Sequence, residues 1–79
     1  MPIEYKNDEA VFREIVSVEE AEGLLQWLQD KVAAKVDLGD CIHLHPANLQ
    51  VLMAVKSRVA VWPYDTNLRA WLEPVLTSA

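Results

Sequence analysis

The order of predicted elements, β-β-α-β-α-β-α, places the chain in the α/β class, with a mixed four-stranded sheet packed with helices. Three observations predict this class. Two short β-competent segments open the chain, two more strand-like segments follow, and amphipathic segments with helical spacing separate the later strands. Strands separated by helices imply right-handed crossovers and parallel pairing, here behind an antiparallel hairpin.

The hairpin is predicted from residues 3–6 and 10–15, which are rich in β-competent side chains. The polar residues Asn7, Asp8 and Glu9 lie between them and are typical of a hairpin loop.

The first helix is predicted to begin at Ser17, because Ser17 and Glu20 have the spacing of a capping box. An apolar stripe at helical spacing follows. It consists of Ala21, Leu24, Leu25, Leu28 and Val32. Trp27 lies beside the stripe and is predicted to pack, and Gly23 inside the helix is interpreted as a sign of close packing.

A third strand is predicted over residues 35–38, with Asp37, Gly39 and Asp40 forming the turn out of it. Pro46 suits the first position of a second helix, which we expect to reach about Lys56. One face of this helix is predicted to carry Leu49, Leu52, Met53 and Lys56.

The last strand is predicted over residues 58–62, since the sequence RVAVW is β-rich and Pro63 closes it. Asp65 or Thr66 can cap a third helix, and Pro74 should kink or end that helix near Glu73. The helix carries Leu68, Trp71, Leu72, Val75 and Leu76. Trp62, Tyr64 and Trp71 either form an exposed aromatic patch or supply buried core area.

Length and charge limit the function. Seventy-nine residues make a single domain, residues 1–79. A net charge of −5 and a pI near 4.8 argue against nucleic-acid binding, which depends on clustered Lys and Arg. Residues 1–40 hold ten of the twelve acidic side chains, so the second half is nearly neutral and more easily desolvated against another protein.

The compartment is predicted from three features. The start of the sequence lacks an apolar signal core, and its apolar runs are far shorter than the ~20 residues that span a bilayer. The single cysteine, Cys41, permits no intramolecular disulfide. We therefore expect a cytoplasmic protein without direct membrane insertion.

Residues 36–53, VDLGDCIHLHPANLQVLM, resemble the signature region of STAS domains, a family named from sulfate transporters and anti-sigma-factor antagonists. Asp37 and Leu38 fall on the Asp-Leu pair of the family, and Leu44, Leu49 and Leu52 fall on apolar positions of its motif. The order of the other predicted elements also agrees with the family. The resemblance implies a STAS-like fold over the whole chain.

Three departures from the family pattern bear on regulation. His45 and Pro46 stand where the family has an Asp-Ser pair, whose serine is phosphorylated in antagonist-type members. Proline has no hydroxyl, so phosphorylation at Pro46 is excluded. Asn48 replaces the glycine of the motif, and the Leu-x-Gly-x-Leu-Asp stretch of the family is absent after the second strand.

The resemblance implies a non-enzymatic module for protein-protein interaction, without a cofactor. Its partner contacts would lie at the start of the second helix. Carried over position by position, they are His45, Pro46, Ala47, Asn48 and Gln50. The predicted function is a regulatory or signalling adaptor that binds a kinase-like regulator or a sensory component. The alternative of the same class is an accessory STAS-type subunit of a membrane transporter, and a homodimer is left open.

A different class of function is a small metal-binding domain. Cys41, His43 and His45 alternate, so a regular strand would direct one thiol and two imidazoles to the same side, as zinc ligands require. Against this, structural zinc sites usually draw ligands from two separate segments, and the sequence has no other Cys or His. No nucleophile–base spacing or phosphate-binding loop is visible, so we expect no enzyme activity.

Overall fold

The computed structural model describes residues 2–31, 33–55 and 57–77, and it has the predicted α/β architecture. Strands β1 (Ile3–Tyr5), β2 (Glu9–Val16), β3 (Lys35–Leu44) and β4 (Arg58–Val61) form one sheet in the order β1-β2-β3-β4. Helices α1 (Ala21–Gln29), α2 (Pro46–Ala54) and α3 (Thr66–Thr77) pack with it. Strand β1 is antiparallel to β2, whereas the β2–β3 and β3–β4 pairs are parallel.

The core lies between the helices and one face of the sheet, which we call the inner face. Because the strand order follows the chain order, right-handed crossovers place α1 and α2 on the same face, where they contact each other. Each helix contributes two buried leucines to a single cluster. The most deeply buried members from the sheet are Ile3, Ala10, Phe12, Val16, Val36, Leu38, Cys41 and Leu44.

The start of the first helix differs from the capping-box prediction. Ser17 precedes a 3-10 turn over Val18–Glu20, and α1 follows at Ala21. The Ser17 hydroxyl makes no capping hydrogen bond, because the 3-10 turn closes through the Glu20 N–H and the Ser17 carbonyl, 3.2 Å apart. The capping box is therefore wrong as a contact, although the helix lies where it predicts one.

Packing in and around α1 is partly as predicted. Leu24 and Leu28 are buried, whereas Val32 lies outside the described residues. Trp27 packs against Tyr5, with ring centroids 5.2 Å apart. The close packing inferred for Gly23 is wrong, since a Cβ at that position would meet nothing within 4 Å.

The predicted turn at residues 37–40 is also wrong, because β3 continues through it. The register shifts between Val11 and Arg13 and again between Glu14 and Ile15, so the ten residues of β3 accompany the eight of β2. Asp37 Oδ1 accepts a hydrogen bond from the Gly39 N–H at 2.9 Å within the first bulge. A bulge uses the same residue types as a turn, but here β2 keeps pairing on both sides of it.

The last two helices follow the sequence pattern more closely. Pro46 occupies the first position of α2, which ends at Ala54, so Lys56 lies beyond it and outside the described residues. Asp65 caps α3 by accepting from the Leu68 N–H at 2.9 Å. Pro74 does not end α3, which runs to Thr77, where the Thr77 hydroxyl donates to the Glu73 carbonyl.

The aromatic residues of the C-terminal region do not share one environment. Trp62 packs against the core, whereas Trp71 and Tyr64 are exposed. The Tyr64 ring lies over Gly39, and the Tyr64 N–H donates to the Gly39 carbonyl at 3.1 Å.

Candidate docking site

The start of α2 is fixed by the side chain of His45. His45 has an extended backbone (φ −63°, ψ 140°), and its Nδ1 accepts a hydrogen bond from the Ala47 N–H at 3.0 Å. The side chain thus satisfies one of the amides left free at a helix N-terminus. His45 is half-buried, so it contributes mainly to the local structure of the site and only in part to its surface.

Asn48 is the one predicted contact residue that the structure contradicts. Its side chain is completely buried. Asn48 Nδ2 donates to the Ser17 carbonyl at 2.7 Å and to the Val16 carbonyl at 3.4 Å. The Val16 carbonyl also accepts from the His45 N–H at 2.9 Å. Asn48 therefore ties the end of β2 to the first turn of α2 and is not available to a partner.

The side-chain oxygen of Asn48, Oδ1, accepts no hydrogen bond from the described residues. Among buried side-chain N and O atoms of the described residues, only Asn48 Oδ1 lacks a hydrogen-bond partner. A buried acceptor without a partner has an energetic cost, which the two donated hydrogen bonds offset.

The outward face of α2 carries no charge. Pro46, Gln50, Met53 and Ala54 are exposed along it, and Met53 retains 47% of its surface. The helix sequence, PANLQVLMA, contains no ionisable side chain, although 24% of the protein is charged. Val18 is also exposed in the 3-10 turn that contacts α2. Pro46 and Gln50 thus lie on a surface that is easy to desolvate, and Ala47 lies half-buried beside it.

The residues of the metal hypothesis do not come together. The second bulge of β3 lies between Cys41 and His43, so the alternation on which the hypothesis depends is lost. Cys41 is fully buried, His43 is exposed, and His45 caps α2. Within the described ranges, no three His, Cys, Asp or Glu side chains are grouped so that they could hold a metal ion.

Cys41 has the properties of a core residue. Burial raises the pKa of its thiol to about 11, against the smaller lowering effect of a backbone hydrogen bond from His43. The thiol itself donates to the His43 carbonyl at 3.4 Å. The thiol therefore stays protonated at neutral pH, and a protonated, buried thiol is a poor nucleophile and a poor metal ligand.

The comparisons with other proteins give no relative on which to draw: no family model, curated protein or solved structure matches the chain. Across residues 2–31, 33–55 and 57–77, none of the helices combines the length and the apolar character needed to cross a bilayer.

Proposed function

We propose that the protein is a non-enzymatic, STAS-like protein-protein interaction module of the cytoplasm, acting as a regulatory or signalling adaptor. Its docking surface is the outward face of α2, formed by Pro46, Gln50, Met53 and Ala54, with Val18 beside it. The observation that carries the proposal is this uncharged, exposed helix face in a strongly acidic protein. Charged residues are depleted at the centres of protein interfaces, and exposed methionine adapts to partner surfaces.

The packing beneath this surface supports the proposal. The N-terminus of α2 is held by the His45 side chain and by the Asn48 amide, so the exposed residues rest on a fixed backbone. A fixed binding surface loses less conformational entropy when a partner docks.

The adaptor would work without phosphorylation at the position that the family resemblance indicates. Pro46 is exposed at the first position of α2, where the resemblance places the phosphorylated serine. The proposed adaptor is accordingly constitutive, or it is regulated through its partner.

The experiment is affinity capture from native cell extract with two matched variants. Gln50→Arg places a charge on the α2 face, and Gln26→Arg makes the same change at an exposed glutamine of α1. We expect one partner to be lost with Gln50→Arg and retained with Gln26→Arg, while circular dichroism stays unchanged for both. Identical capture by the two variants would contradict the proposal. A captured kinase-like or sensory protein would identify the adaptor role, and a transporter component would identify the accessory-subunit alternative.

A further inference from the structure

A groove crosses the outer face of the sheet, on the side away from the helices. It has a volume of about 1040 Å³ and is formed by the second halves of β2 and β3 together with the residue before β1. Its lining residues are Pro2, Arg13, Glu14, Ile15, Asp40 and Ile42. Ile15 and Ile42 retain 58% and 56% of their surface, so two large aliphatic side chains from neighbouring strands are exposed in the same groove.

The charge of the groove is negative. Glu14 and Asp40 are exposed, and neither forms a salt bridge within the described part of the chain. Arg13, the one basic side chain among the described lining residues, is engaged by Glu4, with Nη1 and Oε1 2.5 Å apart. This hydrogen bond, supported by the charge of Arg13, lowers the pKa of the Glu4 carboxyl. The two isoleucines therefore lie beside carboxylates whose charge is not neutralised.

One side of the groove is an open strand edge. Strand β1 pairs with β2 from Ala10 to Phe12, and just before β1 the Pro2 carbonyl accepts a hydrogen bond from the Arg13 N–H at 2.7 Å. Residues 14–16 pair with β3 on one side, and no described strand lies on the other. Exposed strand edges accept extended segments through backbone hydrogen bonds, while side-chain contacts provide specificity.

We propose that this groove binds an extended segment of another protein in which every second residue is either aliphatic or basic (Lys or Arg), so that both kinds of side chain face the groove. The aliphatic side chains would cover Ile15 and Ile42, and the basic side chains would pair with Glu14 and Asp40. Charge complementarity selects this occupant. A second copy of the chain would bring like charges together across a symmetric interface, and nucleic acid or anionic lipid would be repelled by the same carboxylates.

This site is independent of the proposed docking surface on α2, because the two share no residue. The probe is a short synthetic peptide in which every second residue is valine or lysine in turn, with serine between them, and the control peptide has glutamate in place of lysine. Binding is followed by amide chemical shifts in NMR spectra of the full chain at low salt. We expect the basic peptide to shift residues 13–16 and 40–43 and the acidic peptide to shift none.

Matched variants separate the groove from general electrostatic attraction. Glu14→Gln with Asp40→Asn should weaken binding of the basic peptide roughly tenfold or more, since two carboxylate pairs are lost. Glu19→Gln with Glu22→Gln removes the same charge from exposed positions in the 3-10 turn and in α1, and it should leave the affinity within about twofold. Ile15→Ser with Ile42→Ser should also weaken binding, and Gln50→Arg should not.

Several results would overturn the proposal. These are no binding of the basic peptide, shifts outside the groove, equal weakening by the two charge-removing pairs, or concentration-dependent dimerisation through residues 13–16. Loss of partner capture with Gln50→Arg while peptide binding persists would show that the two sites act separately. Circular dichroism of each variant confirms that the fold is retained.

Discussion

The two halves of the β2–β3 ladder differ in regularity and in exposure. In the first half, Glu9, Ala10 and Val11 pair one to one with consecutive residues of β3, and Val11 is only 7% exposed. In the second half, two register shifts separate the paired residues, Glu14 adopts a left-handed conformation (φ 53°), and Ile15 is exposed. The irregular half is also where the groove lies.

The bulges in β3 explain why the two halves of this strand pair differ in exposure. In a regular strand, alternation decides which side chains are buried. The bulges of β3 interrupt this alternation, so that Cys41 and Leu44 enter the core while Asp40 and Ile42 face outward. Bulges of this kind redirect side chains and are over-represented near functional sites.

The largest expected loss of stability comes from a substitution on the inner face of β2, and the same kind of substitution on its outer face should cost little. Phe12 is fully buried in the core, so we expect Phe12→Ala to lower the free energy of unfolding by about 3–5 kcal/mol. Ile15→Ala, three residues along the strand, should change it by no more than about 0.5 kcal/mol. Urea unfolding of both variants measures the difference, and comparable losses would mean that Ile15 is part of the core.

A smaller loss of stability is expected from a substitution at Asn48, which connects the end of β2 to α2. Asn48→Ala removes the hydrogen bonds to the Ser17 and Val16 carbonyls, although each carbonyl keeps one backbone donor, so stability should fall by about 1–2 kcal/mol. Gln50→Ala, in the same helix but exposed, is the control and should be nearly neutral. If urea unfolding gave the same midpoint for both, Asn48 would not hold the two elements together.

An intermediate effect tests the first bulge. A Cβ on Gly39 would lie 2.9 Å from Tyr64 Cε2 and 3.2 Å from Asp37 Oδ1, so Gly39→Ala should cost about 1 kcal/mol. The Tyr64 ring is exposed and can move, which keeps the cost low. In a Tyr64→Ala background the loss should shrink. A double-mutant cycle on thermal unfolding measures this coupling, and an unchanged loss would assign the strain to Asp37 instead.

The smallest expected effect is a gain of stability from a substitution at Glu14, in the irregular second half of the β2–β3 ladder. A left-handed conformation costs a non-glycine residue about 1–2 kcal/mol, and glycine in a strand loses about 0.5–1 kcal/mol through backbone entropy. Glu14→Gly should therefore stabilise the fold by up to about 1 kcal/mol, whereas Glu14→Ala should not. Equal midpoints for the two variants in urea would mean that the backbone at Glu14 is not strained.

Local sequence signals predicted most of the fold. Hairpin residues, the Pro46 helix start, the Asp65 cap and the apolar stripes are short-range patterns, and each helix and strand they indicated is present. The prediction that Pro74 ends α3 failed because proline removes only one backbone hydrogen bond, the one to the Ala70 carbonyl, and the helix continues beyond it to Thr77.

The parts that could not be predicted depend on pairing between distant residues. Asp37, Gly39 and Asp40 have the composition of a turn, and only the continued pairing with β2 makes them a bulge. The same pairing ends the alternation of Cys41 and His43 and leaves Ile15 and Ile42 lining one groove. The burial of Asn48 depends on β2 carbonyls more than thirty positions away along the chain. A polar residue in the first turn of a helix otherwise resembles an ordinary surface residue.

The burial of Cys41 makes its thiol a probe of local unfolding. It is the only thiol in the chain, and it lies on the inner face of the irregular half of β3 with no exposed surface. A thiol reagent can therefore modify the protein only when that part of the sheet separates from the helices. The rate at which a thiol reagent labels Cys41 thus reports the rate or extent of local unfolding of the core beneath the groove.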